Sequence, residues 1–206
     1  MIRIYRSDRN SMGENTYLIQ DQATGETAVI DPGCCPKDFC ERIRQTGGLR
    51  YILLTHGHAD HLISVPEFKE KFPEAEIVAG FDEKEMLSDC RINGSRNMYR
   101  RELAFDADQY VIDGEELKLG ETTLKFLTTP GHTKGGVCIY AGGALFSGDT
   151  LFYRSIGRTD LYGGDFEAIQ MSIQNKLYVL PDDTVVYPGH GPETTIGREK
   201  LYNPYV

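Results

Sequence analysis

The chain alternates short apolar runs with amphipathic stretches, and nearly every run stops at a glycine, proline or aspartate turn. "IRIYR", "TYLIQ", "TAVIDPG", "YILLT", "EIVAG", "LKLG", "TLKFLTTPG", "VCIYAGGALFSGD" and "TVVYPGHG" have the length and pattern of strands. "PKDFCERIRQTGG", "SVPEFKEKF", "FDEKEMLSDC" and "DFEAIQMSIQNKLYVL" have helical spacing. The first is predicted to end at Gly47-Gly48, and Asp165 is predicted to cap the last. Asp113-Gly114 and Gly142-Gly143 predict tight hairpins, hence antiparallel pairing in the second half. Such an order buries its apolar faces by stacking sheets and helices, which predicts an α/β layered sandwich rather than a uniform doubly wound sheet. No linker or low-complexity tract interrupts it, so residues 1–206 are predicted to form one domain.

The turns carry the chemistry. Of the five histidines, three fall within "LLTHGHADH", at His56, His58 and His61, with Asp60 among them. His56 and His58 are two apart at the end of an apolar run, so in extended backbone both rings leave from one face and can grip one ion. Asp60 and His61 follow where the chain turns into a helix and point in different directions, which suits a second ion beside the first. The other histidines, His132 in "TTPGHTKGG" and His190 in "VVYPGHGP", also sit in glycine-rich loops after strands, as does Asp149 in "LFSGDTLF". A lone histidine of this kind is usually an ordinary hydrogen-bonded ring. That every histidine occupies a strand end favours metal binding for the set. Imidazoles and carboxylates without cysteine favour zinc, or else iron or manganese.

Composition removes several alternatives. A formal net charge of -9 disfavours a nucleic-acid partner, which needs clustered cations. Cys34, Cys35, Cys40, Cys90 and Cys138 form no CxxC pair and no even disulfide set, so they are read as free or buried thiols of a reducing compartment. "MIRIYRSDRN" lacks the apolar core of a secretory signal, and no apolar run approaches the roughly 18 residues of a membrane span. A soluble cytoplasmic protein without a membrane partner is expected.

The order HxHxDH, PGHT, GDT, PGHG resembles that of the metallo-β-lactamase-fold hydrolases over nearly the whole chain. The resemblance implies a four-layer αββα sandwich with two divalent metal ions at the edge between its sheets. It implies one ion on His56, His58 and His132, a second on Asp60, His61 and His190, and Asp149 bridging both. Within that family, "GDTLFYRSIGRTDLYGGD" and "PGHGPETTIGREKLYNPYV" are most similar to short hydroxyacylglutathione hydrolase (glyoxalase II)-like proteins. Hydrolysis of a small-molecule acyl thioester is the reaction implied, with Asp60 as a catalytic residue that orients the nucleophile.

The larger glyoxalase II enzymes hold glutathione with a C-terminal helical region, a lysine after GDT and nearby tyrosines. Here Arg158 stands at the lysine's place, Asp160 at that of the first tyrosine, and Pro192 at that of the tyrosine after the last histidine. Arg158, Asp160 and Tyr153 are the candidate substrate contacts; Arg158 and Asp160 also read as an ion pair tying their loop down. Arg91 to Asp108 lacks periodicity and reads as a solvated segment or a loop over the site. The nearest rival is a persulfide (sulfur) dioxygenase, since that group shares HxHxDH and a "GRTD" like Gly157 to Asp160; one iron would sit on His56, His132 and Asp149. Lactonase or β-lactamase-like hydrolysis is more distant, and a binding protein that lost its chemistry fits poorly with an intact donor set.

Overall fold

A computed structural model describes residues 1–206. The first sheet contains β1 (Ile2–Ser7), β2 (Thr16–Asp21), β3 (Thr27–Ile30), β4 (Leu49–Leu53), β5 (Glu76–Gly80) and β6 (Gln109–Val111), adjacent in that order. β1 to β3 pair antiparallel, and β3 to β6 pair parallel. In the second half come β7 (Glu116–Leu119), β8 (Thr122–Thr128), β9 (Val137–Ala141), β10 (Ala144–Gly148), a small hairpin of β11 (Leu151–Phe152) and β12 (Ser155–Ile156), then β13 (Val185–Pro188) and β14 (Thr194–Thr195). The second sheet runs β14-β13-β10-β9-β8-β7, antiparallel except where β13 lies parallel to β10.

Alternation along the strands explains the layering. Tyr17, Ile19, Ala28, Ile30 and Leu53 face Leu124, Phe126, Ile139 and Phe146 of the second sheet in one buried cluster. Their neighbours Leu18, Val29 and Ile52 point the other way. On that outer face they meet Phe39 and Ile43 of α1 (Lys37–Arg44), Leu62 of α2 (Ala59–Leu62), Val65 and Phe68 of α3 (Val65–Lys71) and Leu87 of α4 (Lys84–Ser88). Beyond α5 (Ser95–Met98), the second sheet's outer face is covered by Ile169 of α6 (Phe166–Ser172), Ile173 and Leu177 of the π-turn that follows, and Ile196 of α7 (Ile196–Tyr202). The arrangement is the expected αββα sandwich. No helix is long and apolar enough to cross a membrane, and all five cysteines are free thiols.

Several local expectations are corrected. Gly142-Gly143 does close a hairpin, between β9 and β10. Asp113-Gly114 instead carries the chain from β6 in the first sheet to β7 in the second, because the turn docks on β8: Gly114 N–H donates to Phe126 O, and Asp113 Oδ1 accepts from Thr128 N–H. α1 stops at Arg44, short of Gly47-Gly48, which lie in the turn to β4. The expected helix over 81–90 shrinks to a 3-10 turn at Phe81–Glu83 and α4. The segment from Arg91 to Asp108 contains α5, and β6 follows it. Asp165 caps α6 as expected, accepting from Ala168 N–H, whereas α7, capped by Thr195, lies in a polar stretch without a clear apolar stripe.

Asp21 ties the two sheets together. Its carboxylate accepts from Thr122 Oγ1 on β8 (2.7 Å) and from Thr24 N–H (2.9 Å) and Ala23 N–H (3.1 Å) in its own turn. Burial opposes ionisation, but the donors from Thr122 and Thr24 win and hold its pKa near 2. The folded value lies below the unfolded one, so this contribution is present at neutral pH and lost as pH falls from about 4 towards 2. Asp21→Asn should therefore destabilise the protein by about 1–3 kcal/mol at pH 7, with the gap closing in acid. Identical urea midpoints at pH 7 would refute the assignment.

Candidate metal centre

β4 ends at Leu53, the chain bends at Thr55, and His56 and His58 follow. His58 is itself the extended residue that precedes α2, whose first turn carries Asp60 and His61. The rings of His56 and His58 lie 4.9 Å apart between centroids, and His61 lies 4.1 Å from His56 on the other side of the turn. From the second sheet, the loop after β8 delivers His132, Asp149 follows β10 directly, and His190 lies just past β13. Gly148 makes the sharp bend before Asp149 with φ +48°. Side chains that start at the carboxyl ends of strands in both sheets thus converge on one edge.

His56, His58 and His132 make one triad of donor atoms, and Asp60, His61 and His190 a second, each with its donor atoms within 4.8 Å of one another. Asp31, His56 and His61 lie equally close, with Asp31 committed to His61 Nδ1 and Thr55. His58 turns Nδ1 towards His132 Nε2, at 2.9 Å. Asp60 Oδ2 lies 3.2 Å from His190 Nε2. Asp149 sits between the triads: its oxygens are 3.5 Å from His132 Nε2, 3.3 Å from His61 Nε2 and 3.7 Å from His190 Nε2.

The ring orientations have identifiable causes. Asp31 Oδ2 lies 2.9 Å from His61 Nδ1 and holds it as the protonated nitrogen, turning Nε2 inward. The same carboxylate accepts from Thr55 N–H (2.7 Å) and Thr55 Oγ1 (2.6 Å), and that hydroxyl lies 3.1 Å from His56 Nδ1. His132 Nδ1 donates to the backbone carbonyl of Arg158 at 2.7 Å. What remains is a set of buried atoms without a hydrogen-bond partner: His56 Nε2, His61 Nε2 and Asp149 Oδ1. Unpaired buried polar atoms are costly, and three of them converging among imidazoles and carboxylates fit a cation centre. Burial keeps His56, His58 and His132 neutral, the form that binds metal, with His58 pushed down to about 4. Burial also opposes ionisation of Asp149 and charging of His61 and His190, yet the carboxylates of Asp149 and Asp60 raise both rings, and their positive charge holds Asp149 deprotonated.

A cavity of about 580 Å³ opens over the triads, with His58, Asp60, His132, Asp149 and His190 in its floor. Its walls include Met12, Met98, Phe152, Ile156, Leu161 and Arg158. Arg158 thus lies at the cavity, and its guanidinium grips Asp160 through two bonds of 2.7 Å on an exposed loop. Tyr153 turns elsewhere, accepting from Arg198 Nη2 at 2.8 Å; its neighbour Phe152 lines the cavity. The segment from Arg91 to Asp108 reaches the cavity through Met98, while Arg91 and Arg96 pair with Asp89 and Glu102. Reading the sequence missed Asp31, Thr55 and the wall residues Met12 and Met98. Asp31 had a usable signal: like Asp149 it is an acid directly after a strand at a turn, here before Pro32-Gly33 rather than after a glycine.

The family model for the metallo-beta-lactamase superfamily matches residues 10–190. Hydroxyacylglutathione hydrolase GloC of Haemophilus influenzae is 36% identical over 198 residues, covering 94% of this chain and 92% of that protein. Among solved structures, BLEG-1, a B3 metallo-beta-lactamase, superposes with a TM-score of 0.89 at 35% identity, covering 98% of this chain and 99% of its own. TTHA1623 in a di-iron-bound form gives 0.83 at 31% identity, covering 98% and 100%. ETHE1 from Myxococcus xanthus gives 0.79 at 30% identity, covering 99% and 83%.

Proposed function

The chain belongs to the metallo-beta-lactamase superfamily, and from that premise we propose that it is a two-metal hydrolase of acyl thioesters, of the hydroxyacylglutathione hydrolase type. The observation that carries this reading is the pair of donor triads with Asp149 within 3.3–3.7 Å of imidazoles from both. In this reading His56, His58 and His132 would hold one divalent ion, Asp60, His61 and His190 the second, and Asp149 would be shared between them. Zinc is the first choice for this donor set, with iron or manganese as alternatives. When bound, such ions supply Lewis acidity and acidify a coordinated water from its bulk value towards about 7.

The chain's own residues do the rest. Asp60 accepts a hydrogen bond from the attacking water and so aims it at the thioester carbonyl. Met12, Met98, Phe152, Ile156 and Leu161 keep bulk water off the acyl chain along the cavity wall. Arg158 commits Nε and Nη2 to Asp160, which fixes the fork and leaves its other N–H donors for a carboxylate of the thiol carrier. GloC, as a similar protein named for hydroxyacylglutathione hydrolysis, supports the choice of substrate class.

The "GRTD" segment, Gly157 to Asp160, favours a second reading, oxidation of a persulfide with one iron on His56, His132 and Asp149. One experiment separates the two: elemental analysis of the purified protein alongside hydrolysis of S-lactoylglutathione and oxygen uptake on glutathione persulfide. The thioesterase reading expects about two metal equivalents with turnover of the thioester. About one equivalent of iron, oxygen uptake and no hydrolysis would replace it with the second.

A further inference from the structure

Glu83 belongs to neither triad, yet it is buried, with 1% of its surface exposed, in the 3-10 turn after β5. Its Oε2 accepts from Gly57 N–H at 2.6 Å, between His56 and His58. Its Oε1 accepts from Thr133 Oγ1 at 2.6 Å and from Gly135 N–H at 2.9 Å, in the loop that carries His132. One carboxylate therefore grips both loops of the first triad, one from each sheet, while Asp31 faces His61 of the second triad directly and reaches the first only through Thr55 Oγ1 and His56. The fit at Gly57 is tight: a Cβ there would meet Glu83 Oε2 and Met86 Cγ at 2.9 Å, so a larger residue would have to displace the carboxylate or Met86.

We infer that Glu83 is a positioning residue for the first metal, a clamp that sets the spacing between the His56–His58 loop and the His132 loop. The inference rests on the metal-centre reading above. Its chemistry is specific to a carboxylate, because both oxygens must accept and every partner donates. In Glu83→Gln the amide nitrogen faces either Gly57 N–H or Gly135 N–H, so one loop loses its anchor whichever way the amide turns. Thr133→Val keeps the carboxylate and the local shape and removes only the hydroxyl donor.

The test titrates the metal-free parent, Glu83→Gln and Thr133→Val with Zn²⁺ against a chromophoric chelator, and with Co²⁺ followed by its visible absorption. One of the two binding steps should weaken about 10–100-fold in Glu83→Gln and less in Thr133→Val, while the other stays within about twofold. The Co²⁺ bands of the weakened step should broaden or shift, as expected when three imidazoles no longer meet at one point. Unchanged affinities in both variants would overturn the clamp. So would equal weakening of both steps in proportion to a lowered melting temperature, which is what a purely structural role predicts. If Glu83→Gln does not fold, an unaltered first step in Thr133→Val overturns it alone. A parent that takes up no Zn²⁺ removes the metal-centre reading itself, an outcome distinct from failure of the clamp.

Discussion

His58→Ala is expected to lose one metal equivalent and to hydrolyse the thioester about 10³-fold more slowly or worse, the order seen when a main charge-stabilising element is removed. His58 supplies Nδ1 at 2.9 Å from His132 Nε2, and without it the first ion keeps only His56, His132 and the shared carboxylate of Asp149. Two neutral nitrogens and a shared carboxylate hold a divalent ion less well than three nitrogens with that carboxylate, and no further imidazole belongs to that triad. The fold should survive, because His58 makes no side-chain cap to α2 and alanine accepts its extended backbone. Metal content and turnover measured on the same preparation decide the matter. Retention of both would mean that this cluster is not the reacting centre.

Asp31→Asn is expected to weaken the second ion about 10–100-fold while leaving the chain folded. Asp31 adopts φ +48°, a left-handed conformation that asparagine tolerates, so the backbone gives no reason for collapse. The carboxylate accepts from Thr55 N–H on Oδ1, and Oδ2 faces both Thr55 Oγ1 and His61 Nδ1. An amide that keeps the bond to Thr55 N–H sets its NH₂ against His61 Nδ1. That nitrogen must then accept, and the imidazole proton moves to Nε2, where it points into the second triad and blocks a lone pair. The expected stability loss is about 1–3 kcal/mol, that of a buried polar contact turned imperfect. Nitrogen chemical shifts of the His61 ring report the tautomer directly. An unchanged tautomer with two ions bound at parental affinity would show that Asp31 does not orient the site.

Glu83→Gln is aimed at the first triad alone, whereas Asp31→Asn acts directly on the second through His61 and indirectly on the first through Thr55 and His56. Should Asp31→Asn weaken the first ion more than the second, the division of labour between the two buried acids would be wrong even if the metal centre stands.

Local pattern made much of this protein legible. Short continuous apolar runs such as "TAVI" specify strands that bury both faces, and glycine after a strand specifies where the chain turns. His56, His58, Asp60 and His61 could be placed together because two-residue spacing in extended backbone and a following helical turn settle where their rings go. His132, Asp149 and His190 could be recognised one by one as strand-end residues, since each sits at the same kind of punctuation. What no local pattern held was how strands meet. Asp113-Gly114 has a hairpin's sequence, but pairing of β6 with β5 and of β7 with β8 makes it the crossing between sheets. Asp31 and Glu83 look like ordinary acids near turns until the fold buries them, and only then do Thr55, His61, Gly57 and Thr133 become their partners. The cavity wall joins Met12, Met98 and Leu161, from three separate stretches of chain, for the same reason. Strand and turn geometry act over a few residues and can be read from neighbours, whereas the orientation of each donor depends on hydrogen bonds between segments that only tertiary packing brings within 3 Å of one another.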